Sequence, residues 1–294
     1  MSEAEAGAAA REFEAHRRYL MGLAYRMLGS LAEAEDAVQE AYLRWHAADR
    51  DAVETPRAFL STIVTRLCLD QLKSARARRE SYVGPWLPEP VLDTAALDAE
   101  SAAELAHDLS VALMLTLERL SPLERAAFLL HDVFDMDFAA VAAALGRSEA
   151  ACRQLATRAR AHVQSARPRF KPSPDEGARL ADAFRQAVAS GDVTAMTRLL
   201  AKDAVLLTDG GGKRIAALNP ILGADKIVRF FAGIGRKEDL AALRVRPAEI
   251  NGLPGFVVTD ASGAPQTMAF AVEDGSITAI YVVANPDKLQ RVVF

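Results

Sequence analysis

The sequence predicts a multidomain chain: two all-α domains, the second a helix-turn-helix, followed by an α+β cone. Three observations predict it. Apolar residues recur at helical spacing between capping signals over two stretches, 10–80 and 105–170. A proline-rich segment, 81–104, separates these stretches. From residue 175 to residue 294 the pattern changes to helices and short strand-like runs, the last of them Ser276–Val283. With 294 residues, 51% apolar and 25% charged, the chain has material for two or three cores and is not broadly disordered.

Composition narrows the function classes. The net charge of −4 does not by itself argue for nucleic acid, so the placement of charge matters more than its sum. Cys68 and Cys152 lie within helical patterns without ligand-spaced partners, which predicts buried thiols, no metal site and no cofactor. The Ala/Glu-rich start lacks a basic, apolar leader, and no stretch of about 20 apolar residues occurs. A cytoplasmic protein with no membrane partner is expected.

In the first block, Phe13, Leu20, Leu23, Ala24, Met27 and Leu28 share one helical face, and Gly29 can cap it in the left-handed conformation. Ser30 with Glu33 begins a second helix. There Ala34, Val38, Ala41, Tyr42 and Trp45 face inward, leaving Asp36, Gln39, Glu40 and Leu43 on the other side, as a solvated face or an interface. A polar loop, Asp49 to Thr55, includes Arg50 and Asp51. Thr55-Pro56 opens a third helix with Phe59, Leu60, Ile63, Val64, Leu67 and Leu72 inward. Its end carries Lys73, Arg76, Arg78 and Arg79 beside Arg66, more cations than capping a helix C-terminus needs, which points to phosphate contact.

The linker reads Gly84-Pro85-Trp86-Leu87-Pro88-Glu89-Pro90. Trp86 and Leu87 on an extended stretch suit a segment that docks in a groove, or one lying on its own domain. In the second block, Leu105, Leu109, Leu113 and Leu117 form a stripe, and Ser121-Pro122-Leu123-Glu124 is a capping box. Phe138 to Leu145, the Gly146-Arg147-Ser148 turn and a helix from Glu149 then give helix, glycine turn, helix. No Asp or Glu occurs between Arg153 and Lys171, whereas Arg153, Arg158, Arg160, Arg167 and Arg169 do. Arg147, Ser148, Glu149, Arg153, Gln154 and Arg158 are therefore candidates for reading base edges and phosphates.

These blocks resemble the sigma-70 family, in its small extracytoplasmic-function group. The resemblance rests on Ala24-Tyr25-Arg26-Met27-Leu28-Gly29, Ala34-Glu35-Asp36-Ala37-Val38-Gln39-Glu40-Ala41, Pro56-Arg57-Ala58-Phe59-Leu60, Leu69-Asp70 and Leu120-Ser121-Pro122-Leu123-Glu124-Arg125-Ala126-Ala127-Phe128. It implies an RNA polymerase sigma factor directing promoter-specific initiation. Asp36, Gln39, Glu40 and Leu43 would then meet the β′ clamp helices of the polymerase core, whose β flap is a further partner. Asp49, Arg50, Asp51, Thr65, Arg66, Asp70, Lys73 and Arg76 would hold the melted −10 strand, and the helix-turn-helix the −35 duplex. Thr65 stands where many relatives carry Asn, so their −10 preference is not carried over.

Most small sigma factors would end near residue 170. Here helices are expected at Asp175–Ala189, Val193–Leu200 and Asp225–Ala232, and strands at Ala204–Thr208, Leu240–Ile250, Gly255–Thr259, Thr267–Val272 and Ser276–Val283, the strands forming a curved antiparallel sheet. This third part, 175–294, resembles the SnoaL-like, NTF2-like fold. Trp86-Leu87-Pro88-Glu89-Pro90, Asp209-Gly210-Gly211-Gly212-Lys213 and Asn285-Pro286-Asp287-Lys288-Leu289 resemble signatures of sigma factors fused to such a domain. That resemblance implies regulation in cis, of either sign, through contacts of the third domain with the sigma blocks and the Trp86 linker. No histidine follows His162 and no cysteine follows Cys152, so the sequence does not point to an enzyme, although Asp209 beside Lys213 could pair and the cone leaves room for a small ligand. The alternative reading is a ligand-sensing, DNA-binding transcription regulator.

Overall fold

The computed structural model describes residues 3–80, 82–92, 111–165, 173–236, 242–260 and 262–294. The chain divides into two units that do not follow chain order. Residues 1–80 and 112–167 form one, and residues 81–111 and 168–294 the other.

In the first unit, α1 (Glu3–Leu28) stops at Gly29, whose φ of 72° is the left-handed conformation that only glycine adopts at no steric cost. The Ser30 hydroxyl accepts from the Glu33 amide and opens α2 (Leu31–Ala47). A 3₁₀ turn (Arg50–Ala52) leads to α3 (Pro56–Glu80). The buried Trp45 is held by its indole N–H, which donates to the Ala9 carbonyl at 3.1 Å. α4 (Val111–Glu118) precedes α5 (Pro122–Phe128), which has the full Ser121–Glu124 capping box. α5 runs on into a π-helical turn, Leu129–Val133, that the apolar spacing does not reveal. α6 (Phe138–Leu145) ends at Gly146 with φ 61°, and α7 (Glu149–Ser165) follows, completing the helix-turn-helix. Arg125 is buried within this unit, where its guanidinium donates to the Leu117 and Met27 carbonyls and pairs with Glu118 at 2.8 Å. Leu105 and Leu109 lie outside the described residues.

In the second unit, α8 (Pro174–Ser190) and α9 (Val193–Leu199) lead into β1 (Leu200–Asp209). Then come β2 (Ile221–Leu222), α10 (Ala224–Gly235), β3 (Arg244–Ile250), β4 (Leu253–Thr259), β5 (Pro265–Glu273) and β6 (Ser276–Val283). The sheet order is β2-β1-β6-β5-β4-β3. The sheet is not wholly antiparallel as expected: β1 pairs with β6 in parallel, with Asp209 opposite Val283. Strand periodicity reports which face a residue occupies and not which way the strand runs, so direction was not legible. The expected Leu240–Ile250 strand starts at Arg244, residues 237–241 being outside those described.

The helices cover one face of this sheet. Phe184 of α8 meets Phe231 of α10 and Phe270 of β5 edge-on, with ring centroids 5.2 and 5.8 Å apart. Ile227, Phe256, Ile280 and Val282 complete the core. Phe184→Ala should remove a fully buried ring and lower this unit's unfolding free energy by about 3–5 kcal/mol, read from urea melts of the full chain.

Candidate regulatory and nucleic-acid sites

The opposite sheet face is crossed by the linker. Leu87, Pro88, Glu89, Pro90 and Val91 are all buried in the second unit. Beneath them lie Thr267 and Ala269 of β5 and Tyr281 and Val283 of β6, with a residual cavity of only about 10 Å³. The phenol of Tyr281, the one tyrosine of residues 175–294, is pushed up to about 12, chiefly by burial, and stays protonated at neutral pH.

One end of the strap closes on Asp209, at the end of β1. Its side chain has 0% exposure, so it needs partners for its lone pairs. Oδ1 accepts from the Tyr82 hydroxyl at 2.6 Å and the Gly211 amide at 3.1 Å. Oδ2 accepts from the Leu87 amide at 2.9 Å and Lys288 Nζ at 2.8 Å. Lys288 also donates to the Leu87 carbonyl and stands over the Trp86 ring, 4.2 Å from its centroid. The Asn285 amide donates to the Tyr82 hydroxyl at 2.8 Å. Burial, and then the bond to Asp209, push the Tyr82 phenol well above its ordinary range, so it remains a donor.

The glycines have separate reasons. A Cβ on Gly210 would overlap the Arg214 carbonyl, and one on Gly211 (φ 59°) would overlap the Asn285 amide. Gly212 (φ 70°) would bring a Cβ to 3.2 Å from Val83. Asp209 and Lys213, which the sequence would allow to pair, do not pair with each other. Asp209 takes Lys288, while Lys213 reaches Asp287 at 2.6 Å, so the two loop motifs exchange partners. Pro286 is exposed on the connecting 3₁₀ turn, and Leu289 is buried.

In the first unit, Asp36, Gln39 and Leu43 are exposed on α2, and Glu40 is half-buried and paired with Arg44 at 3.0 Å. Asp49, Ala52, Val53, Glu54, Thr55 and Phe59 line an open pocket of about 530 Å³ between α2 and α3. Asp51 is exposed and Arg50 half-buried beside it. Thr65 does not share that surface: it is 0% exposed, and its hydroxyl has no partner among the described residues. It occupies an inward position of α3, one residue out of phase with Arg66. Arg66 itself donates to the Ala143 and Ala144 carbonyls at the end of α6, at 2.9 and 3.1 Å. Lys73 bonds Asp70 at 2.8 Å, and that bond lowers the Asp70 carboxyl below its usual range. The side chains of Arg76, Arg78 and Arg79, and residues Arg167, Arg169 and Lys171, lie outside the described residues.

Arg147, Ser148, Glu149, Arg153, Gln154 and Arg158 are all exposed along the start of α7. Ser148 caps the helix by accepting from the Ala151 amide at 3.3 Å. Arg153 pairs with Glu149 at 2.7 Å and Arg158 with Glu124 at 3.0 Å. Among the described residues, no group of acidic, histidine or cysteine side chains could hold a metal, and no helix is long and apolar enough to cross a membrane.

Breaking the two ion pairs of the tail and loop should have sharply different costs. Asp209→Ala leaves the Lys288 ammonium, 13% exposed, without its carboxylate and should cost about 3–5 kcal/mol. Lys213→Ala breaks a pair whose members are 55% and 57% exposed and should cost less than about 1 kcal/mol. Urea melts, with protease cleavage between Tyr82 and Val91 as a local probe, check both.

Comparison with known proteins gives this geometry its family. The model for sigma-70 region 2 matches residues 13–78, and that for sigma-70 region 4 matches residues 110–163. The ECF RNA polymerase sigma factor SigJ of Mycobacterium tuberculosis is 42% identical over 287 residues, covering 94% of this chain and 92% of its own. The probable ECF RNA polymerase sigma factor SigI of the same organism is 31% identical, covering 94% and 93%. The crystal structure of the M. tuberculosis extracytoplasmic-function sigma factor SigJ superposes with a TM-score of 0.77 at 39% identity, covering 96% of this chain and 98% of that one. With both sigma regions matched and relatives alike over nearly their whole length, the chain belongs to the ECF RNA polymerase sigma factors, which direct promoter-specific transcription initiation.

Proposed function

We propose that the C-terminal α+β domain regulates this sigma factor in cis by holding the linker between the two sigma regions. The carrying observation is the buried Asp209–Lys288 pair closed on the backbone of Leu87. Holding residues 82–92 on the sheet withdraws up to about 40 Å of extended chain from the tether between regions 2 and 4. The spacing of the −10 and −35 readers then depends on the strap. Because the domain is fused, its local concentration is on the order of mM, so modest contacts suffice.

We assign the polymerase and promoter surfaces by resemblance to the family. Asp36, Gln39, Glu40 and Leu43 are assigned to the β′ clamp helices, an assignment supported by the 56% exposure of Leu43 among polar neighbours. The pocket at Asp49–Phe59 has room for an unstacked base of the −10 strand, with Arg66 and Lys73 as phosphate contacts once released from their present partners. The exposed start of α7 is assigned to the −35 duplex, where Arg153 and Gln154 carry the donors that guanine and adenine edges accept.

The test is run-off transcription with core polymerase, using the full chain, chains ending at Lys171 and Val283, and the Asp209→Ala/Lys213→Ala double variant. Full-length protein should initiate specifically, and each alteration should change the level severalfold. Unchanged transcription together with unchanged protease protection of the linker would sink the regulatory role. Failure to bind core would favour the ligand-sensing regulator instead.

A further inference from the structure

The motif cluster at Asp209 holds one end of the strap, and a second, chemically different site holds the other. The β3–β4 hairpin turns through Asn251-Gly252, where Asn251 has φ 50° and Gly252 φ 72°. That is the two-residue turn an Asn-Gly pair favours, and it places the Asn251 side chain under the strap with 1% exposure. Asn251 and Val91 bond reciprocally: the Val91 amide donates to Asn251 Oδ1 at 3.1 Å, and the Asn251 amide donates to the Val91 carbonyl at 2.9 Å. Leu92 extends the contact as an isolated antiparallel bridge to Ile250. The side chain and main chain of one turn residue thus act like a short added strand.

The linker sequence explains why two anchors complete the docking. Between Leu87 and Val91 stand Pro88, Glu89 and Pro90, of which only Glu89 has an amide N–H. The prolines let an extended segment be buried with few donors to satisfy. Leu87 and Val91 each present both an N–H and a carbonyl, and both pairs are met: one by Asp209 and Lys288, the other by Asn251.

We propose that Asn251 is a second, independent anchor of the linker, an uncharged clasp that positions Val91 while the Asp209–Lys288 pair positions Leu87. This rests on the in-cis reading above and deepens it. The strap can be half released: the ionic end can open while the Asn251 end keeps the linker in register for closing again. Asn251 is a positioning residue that acts on promoter recognition only through the linker.

The Val91 and Leu87 amides are separate reporters of the two anchors. Amide hydrogen exchange would be followed at both sites in the full chain, together with run-off transcription. Asn251→Gly keeps the left-handed turn and removes the side chain that carries the Oδ1 acceptor. Exchange at Val91 should quicken about tenfold with Leu87 unaffected and the melting temperature nearly unchanged. Asp209→Asn should show the reverse pattern. Unaltered exchange at Val91 in Asn251→Gly would overturn the anchor. Equal loss at both amides would overturn its independence, because the strap would then leave as one piece. Quickened exchange at Val91 with unchanged transcription would uphold the anchor and sink instead the reading that docking regulates initiation.

Discussion

The second unit is organised around one desolvated carboxylate. Asp209 has given up water entirely and recovered four donors: a phenol, a loop amide, a linker amide and an ammonium. A carboxylate has about four lone-pair sites, so the set is complete. The four donors come from three separate stretches of chain, and the site exists only when linker, glycine loop and C-terminal tail all arrive. The parallel pairing of β1 with β6 brings them there. It ends both strands at the same edge, with Asp209 opposite Val283, so the tail leaves β6 beside the carboxylate, and the Ala284 and Asn285 amides bond the Asp209 carbonyl at 2.8 and 3.0 Å. Antiparallel pairing would have carried Asn285 and Lys288 to the far end of the sheet.

This is why the site was legible in part. Helix boundaries are written locally, in Ser30, the Ser121–Glu124 box and the left-handed Gly29 and Gly146, and the helical elements follow from them. The strap was visible as motifs, because a tryptophan in a proline-rich linker and three adjacent glycines have little use in solvent. Their pairing was not visible. Both loop motifs pair an acid with a lysine, and only strand direction decides that Asp209 takes Lys288 and leaves Lys213 to Asp287. Asn251 was missed for a different reason. Asn-Gly between strand-like runs is a strong hairpin signal, and a residue with that explanation gives no hint of a second task for its side chain.

Charge in the first unit was also only half legible. A run of arginines reads as free positive charge, whereas the folded chain has already engaged much of it. Arg125 is a buried structural group, Arg66 closes the carbonyl end of α6, and Arg153, Arg158 and Arg160 have carboxylate partners. The distinction between these groups is burial. Exposed pairs are worth about 0–1 kcal/mol, so the Arg153–Glu149 pair can be exchanged at little cost, whereas Arg125 cannot be recruited without dismantling its helices.

The strap is subject to the same balance of cost. A linker bound too firmly would fix the sigma regions permanently, and one bound too weakly would regulate nothing. Coupling between sites in proteins is typically about 1–3 kcal/mol, so a useful strap has to be held by a small net sum. Its polar contacts fit that requirement: each neutral hydrogen bond nets only about 0.5–1.5 kcal/mol, and the attraction within a buried ion pair is largely offset by its desolvation. The burial of Leu87, Pro88, Pro90 and Val91 supplies attraction without direction, and the bonds at the two ends supply register. A slip of one residue along the sheet would set Pro88, which has no N–H, against Asp209 and leave the carboxylate one donor short. The prolines therefore do more than break regular structure: by withholding donors, they allow only one alignment of the linker to satisfy both anchors at once.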